Sequence, residues 1–200
     1  MAMAAEGGAE AARATRRDRG RPAFLELFFD LVYVFALVSL TKTLAADLTW
    51  SGTARTLVLL FAFTLVWALT TWAADTIDLN RPVVQVQVVG VAAASLLLAA
   101  AVPEAYGERG LLFAVTYLAI HLGSSAYYLS FARDTAEPRR SSRVAFWEAL
   151  AGVGWIAGAL VDGTARLVLW ALAVTVEYTA ATLGWPVPRL GRSQAAEWRL

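Results

Sequence analysis

The pattern of apolar and polar positions divides the chain into long apolar runs separated by short polar connectors. Six runs stand out, at 24–44, 56–74, 82–103, 110–132, 144–161 and 167–185. Each lies near the about 20 residues that an α-helix needs to cross about 30 Å of hydrocarbon. Val83 to Val91 is β-branched enough to suggest a strand, but the length of its run and the alanine-rich half that follows favour a helix. Backbone polar groups in lipid must bond internally, which excludes an open sheet. The pattern therefore predicts an all-α, polytopic transmembrane bundle of six helices. It forms one membrane domain over 23–188, with a disordered basic arm at 1–22 and a tail at 189–200.

Composition agrees and narrows the function classes. The chain is 58% hydrophobic and 16% charged, against roughly 45–50% apolar and about 25% charged in a soluble domain. Net charge is only +1, and the basic residues gather in blocks outside the runs, so no nucleic-acid partner is expected. With no cysteine and one histidine, disulfides, thiolate sites and histidine-rich metal centres are excluded, and no cofactor is expected.

The basic residues also orient the bundle. With the N-terminus inside, Arg13, Arg16, Arg17, Arg19 and Arg21, then Arg81, then Arg133, Arg139, Arg140 and Arg143, then Arg189, Arg192 and Arg199 all fall on the cytoplasmic side. Only Lys42, Arg55, Arg109 and Arg166 fall on the other, the asymmetry expected of an even number of spans with both termini cytoplasmic. Trp50 and Trp170 fall near the outer interface, Trp72, Trp147 and Trp185 near the inner one, and Trp67 and Trp155 deeper, between helices. The first 23 residues lack the apolar core of a cleavable signal, so the first helix reads as an uncleaved anchor. The expected partner is the lipid bilayer; a homo-oligomer is open, and no soluble partner is indicated.

Candidate chemistry lies in the ionisable groups inside the runs. Glu26 and Asp30 share one face of the first helix, continued by Tyr33, Leu37 and Thr41. Two readings are open: acids at a watery helix N-terminus, or groups on an ion path, with Asp30 about 10 Å deep the better candidate. Asp75, Asp78 and Arg81, spaced three apart, leave the second helix at the same end. They form either a solvated connector or an inner-face cluster in which Arg81 neutralises Asp30. Helices joined by a short connector pack side by side, so Asp30 is expected to face the bundle with Arg81 or another polar group in reach.

His121 and Glu177 fall near mid-bilayer, where each needs a partner or water. Either is a packing residue or a relay. Glu148, five residues into its run, reads mainly as a group reaching the interface. Gly154 and Gly158 allow close helix packing, within the chain sooner than between chains. His121 and Ser124 share a face but have no third group, and no nucleophile elbow, H-E-x-x-H or phosphate loop is present, so no enzyme is expected.

The stretch ELFFDLVYVFALVSLT, from Glu26 to Thr41, resembles the signature of the bacterial low-temperature-requirement protein A family. The resemblance continues through Trp72 to Arg81, through Ala101 to Leu122 and through the closing WPVPRLG, and covers about Pro22 to Gly191. It implies a multi-pass protein of the bacterial plasma membrane with no settled molecular function. It also implies further helices beyond the point where this chain ends, so the chain reads as a short form or a truncated one. The Phe29-Asp30 opening is more weakly similar to a family of six-helix potassium channels, without that family's serine and spaced arginine. The expected function is an ion or small-solute transporter or channel component that uses Glu26, Asp30, Tyr33, His121 and Glu177. The alternative is a non-transporting scaffold or stress-tolerance factor, or an inactive truncated form.

Overall fold

The computed structural model describes residues 27–76, 82–131 and 138–183, with side chains left out at 72–76, 82, 127–131 and 138–145. Glu26, Asp78 and Arg81 lie outside these residues, as do the arm and the tail, and Asp75 is described only as backbone in the last turn of its helix. The described chain is all-helical: α1 (Leu27–Ala46), α2 (Trp50–Thr76), α3 (Pro82–Ala101), α4 (Gly110–Phe131), α5 (Pro138–Ala159) and α6 (Gly163–Thr182). One 3₁₀ turn, Val102–Glu104, follows α3, and no strand occurs among the described residues. The β-branched start of α3 is helical, because 20 residues of uninterrupted intrahelical bonding outweigh a local β preference.

Segments in α1, α2 and α3 (Leu27–Ala46, Trp50–Thr71 and Val83–Glu104) are long and apolar enough to span a membrane, and Gly110–Ala126 is a shorter apolar helix. The remaining two are more polar. Pro138 opens α5 six residues before its apolar run, and that stretch carries Arg139, Arg140 and Arg143, while α6 carries Arg166 and Glu177.

Helix α6 packs on α5 and on α2, α5 on α4, and α4 on α3, while α1 lies against α2. The α2–α6 seam closes through the Tyr178 hydroxyl, which donates to the Phe61 carbonyl at 3.0 Å. Alanines line the tightest seams: Ala36, Ala62, Ala92, Ala99 and Ala114 are all fully buried. Large apolar side chains point outward instead, among them Leu31, Phe35, Val86, Val115 and Leu172. A soluble domain rarely shows so continuous an apolar exterior. Lipid is the solvent that suits it.

The connectors α1–α2, α3–α4 and α5–α6 share one end of the bundle. There Asp47 accepts from the Thr49 backbone and hydroxyl, and the Thr49 hydroxyl in turn takes the free N–H of Gly52, capping α2. The Thr49 hydroxyl holds the Asp47 carboxyl below its ordinary range. In α5, Gly158 meets α6 so closely that a Cβ there would strike the Trp170 indole, and Gly154 sits against Ala173. The two glycines thus seat α6 on α5 within one chain.

Candidate functional site

The interior of α4, α5 and α6 holds most of the buried polar groups. On α4, Tyr117, His121 and Ser125 follow at four-residue spacing and so form one stripe. Facing it are Glu148 and Trp155 of α5, seven residues apart, and Glu177 of α6. The Tyr117 hydroxyl donates to Glu177 Oε2 at 2.8 Å, and Trp155 Nε1 donates to Oε1 at 3.1 Å. Each carboxyl oxygen therefore has a donor. Glu177 is 5% exposed, and Tyr117 and Trp155 are fully buried.

One turn along, the His121 ring lies 4.4 Å from that of Tyr117, and its buried Nε2 has no hydrogen-bond partner. Beyond it the Ser125 hydroxyl donates to Glu148 Oε1 at 2.9 Å, and Gln87 Nε2 of α3 donates to the Ser124 hydroxyl at 3.3 Å. Ser124, Ser125 and Gln87 are half-buried, so the stripe is less enclosed toward the end that carries the α4–α5 connector. On the other side of Glu177 the interior is aromatic. Trp170 packs against Phe113 at 5.4 Å, Trp155 at 5.2 Å and Tyr106 at 5.1 Å, and its indole N–H donates to the Trp155 carbonyl. The polar seam thus has an open end and a sealed one.

Arg166 closes the sealed end. Its Nε donates to the carbonyls of Gly158 and Val161, and its terminal nitrogens donate to the carbonyls of Ala105, Gly107 and Ala159 and to Asp162 Oδ1, the last at 2.7 Å. One guanidinium therefore ties the α3–α4 connector to the C-terminus of α5, satisfying carbonyls that a helix end leaves free. Arg166, which the sequence puts in an outer connector, is only 4% exposed, and Trp170, which the sequence puts near the outer interface, is fully buried between helices. Both are drawn inward because carbonyls at the C-terminus of α5, those of Ala159 and Val161 among them, need donors and because Gly158 leaves room for the indole. Nearby, Arg55 lies over the Tyr106 ring at 5.4 Å, and burial pushes the Tyr106 hydroxyl above its ordinary range.

Asp30 and Tyr33 stand apart from this seam. Asp30 is exposed at the α1–α2 edge and not turned into the bundle, and Trp67 Nε1 donates to its Oδ1 at 3.1 Å. The Tyr33 ring stacks on Trp67 at 5.5 Å, and its hydroxyl meets Thr64 Oγ1 at 3.2 Å. The structure thus joins His121, Glu177 and Glu148 on one seam and leaves Asp30 and Tyr33 on another. Sequence reasoning missed Tyr117 and Trp155 as the partners of Glu177. The signal for Tyr117 was its four-residue spacing from His121. No group of three or more metal-ligating side chains occurs among the described residues.

Comparison with known proteins places this architecture. The family model of the bacterial low temperature requirement A protein matches residues 21–200. An uncharacterized protein of Rhizobium meliloti (strain 1021) is 37% identical over 183 residues, which is 90% of this chain and 45% of the relative. The chain therefore spans less than half the length of that curated relative. No solved structure matches. With the family match over most of its length and long apolar helices at its core, the chain is a helical membrane protein that belongs to the bacterial low temperature requirement A family.

Proposed function

We propose that the protein is an ion or small-solute transporter or channel component of the bacterial plasma membrane, with its path along the α4–α6 seam. The observation that carries this reading is Glu177, a carboxyl group buried in the bundle and held by donors from two other helices. An ionisable group inside a membrane bundle is costly and marks ion and proton pathways more often than packing. His121 and Glu148 extend the seam toward the half-buried serines, which supports an access route from that end. In the orientation given by the arginine asymmetry, all six helices cross, both termini are cytoplasmic, and the open end of the seam faces the cytoplasm.

Reconstitution of the full chain into liposomes, with flux measured for protons, potassium and sodium, tests the reading. Flux above empty vesicles that Glu177→Gln removes is the expected result; flux of no ion sensitive to Glu177→Gln overturns it. A second reading, a non-transporting scaffold, draws on the Arg166 clamp and the aromatic seal, which fix one end of the bundle. It requires normal folding and membrane insertion with no flux at all.

A further inference from the structure

The surroundings of Glu177 discriminate between ions. A potassium or sodium ion leaving water needs a shell of oxygen acceptors to replace its hydration, as in filters built from carbonyl groups. Glu177 is surrounded by the opposite. Both of its oxygens face hydrogens, one from the Tyr117 hydroxyl and one from the Trp155 indole, and Phe113 and Trp170 pack against the Trp155 ring. A metal cation at the carboxylate would have to displace those two donors, and from them it would gain at most the Tyr117 hydroxyl oxygen as a further ligand. At Glu148 one oxygen likewise faces a donor, the Ser125 hydroxyl. A proton needs no shell. It requires a single acceptor atom at a time, and the seam holds one unused at His121 Nε2, buried and without a partner.

From this geometry we infer that the ion carried along the seam is the proton, with Glu177 and His121 as the groups that take it up and release it. The inference rests on the transport reading and names its substrate. Uptake makes one O–H bond at Glu177 or one N–H bond at His121 Nε2, and release breaks the same bond, so nothing but the proton is consumed or produced. Glu148 is the carrier nearest the less enclosed end, and Tyr117 is the positioning residue whose hydroxyl holds Glu177 toward the stripe. Glu148 and Tyr178 are the further titratable groups in electrostatic range of Glu177.

His121 supplies a variant that separates relay from packing. Its Nε2 makes no hydrogen bond, so His121→Phe keeps an aromatic ring against Tyr117 while deleting the acceptor, with only the larger ring to accommodate. A histidine that merely packs leaves the flux of a folded His121→Phe protein unchanged.

The test uses the full chain in vesicles of phosphatidylethanolamine and phosphatidylglycerol, with a trapped pH-sensitive dye and a clamped membrane potential, and separate arms for potassium and sodium. The expected result is proton flux with no potassium or sodium flux above empty vesicles. That flux should fall by about tenfold or more in Glu177→Gln and in His121→Phe, with a cooperative melt in detergent showing that both variants still fold. Potassium or sodium flux abolished by Glu177→Gln overturns the proton assignment and leaves the transport reading standing. Absence of any Glu177-dependent flux overturns both. Full proton flux in His121→Phe overturns the part given to His121.

Discussion

Two buried ionisable residues lie on α6, eleven positions apart in the sequence, and the protein holds them in opposite ways. Arg166 is held by backbone. Five carbonyl groups and one carboxylate surround its guanidinium, and every one of its nitrogens is engaged. Glu177 is held by side chains, a phenol and an indole, with an imidazole and a second carboxyl group along the same stripe. Backbone carbonyls cannot titrate and cannot turn away without unwinding a helix end, so the first arrangement fixes architecture. Side chains that titrate or rotate leave the second arrangement able to change its protonation. Burial of charge alone therefore does not identify a functional site; the nature of the partners does.

The largest effect that separates the two falls on stability. Arg166→Ala leaves the carbonyls of Ala105, Gly158 and Val161 without this donor and cuts the tie between two connectors, at an expected cost of about 3–5 kcal/mol, on the scale of about 1–3 kcal/mol for each buried acceptor left without its donor. Arg166→Lys restores little, because a single ammonium cannot reach in both directions as the planar guanidinium does. Thermal unfolding in detergent measures both. If Arg166→Ala melts like the wild type, the clamp is not structural and the comparison fails.

Glu177→Gln is expected to cost less than about 1 kcal/mol. The amide oxygen still accepts from Trp155, and the Tyr117 hydroxyl can switch to accept from the new amide nitrogen. Glu177→Leu strands both donors, but it also removes a buried carboxyl group. Interhelical hydrogen bonds in membranes average roughly 0.6 kcal/mol, so an expected loss of about 1–2 kcal/mol follows. The same melting assay orders the four variants. A Glu177→Leu loss as large as that of Arg166→Ala would mean that Glu177 is also an architectural residue.

Sequence alone reads these two sites unequally. Glu177 stands out because a lone carboxylate in an apolar run is conspicuous. Arg166 sits at the start of its run beside Asp162 and Gly163, where a charge looks like part of a loop. Its four-residue spacing from Asp162 was visible in the sequence, but its main partners are carbonyls, and carbonyls carry no sequence identity. The helices themselves are legible because each must satisfy its own backbone, and the early start of α5 at Pro138 is missed because its first turns are polar. The partners of Glu177 come from helices that are distant in the chain, and no periodicity within one helix reveals them. Asp30 shows the same limit, since the sequence called for Arg81 or another polar group in reach and could not name the indole of Trp67 as the one that bonds it.

Asp30 gives the smallest expected effect and the sharpest control on the comparison. It is an ionisable residue of a spanning helix, but it is exposed, and one indole N–H is its hydrogen-bond partner among the described residues. Asparagine keeps a carbonyl oxygen for that N–H, so Asp30→Asn removes the charge and little else. An exposed, singly bonded group of this kind contributes on the order of 0.5–1.5 kcal/mol, most of which the amide retains. Asp30→Asn should therefore melt within about 0.5 kcal/mol of the wild type, the usual range for surface substitutions. It should also leave the flux that depends on Glu177 in place, because the hydrogen bonds that Asp30 and Tyr33 make among the described residues go to α2 and not to the α4–α6 seam. Flux lost in Asp30→Asn with folding intact would show that the path runs along the α1–α2 edge as well, and that the partners of a buried charge are not the criterion by which this protein's functional site is found.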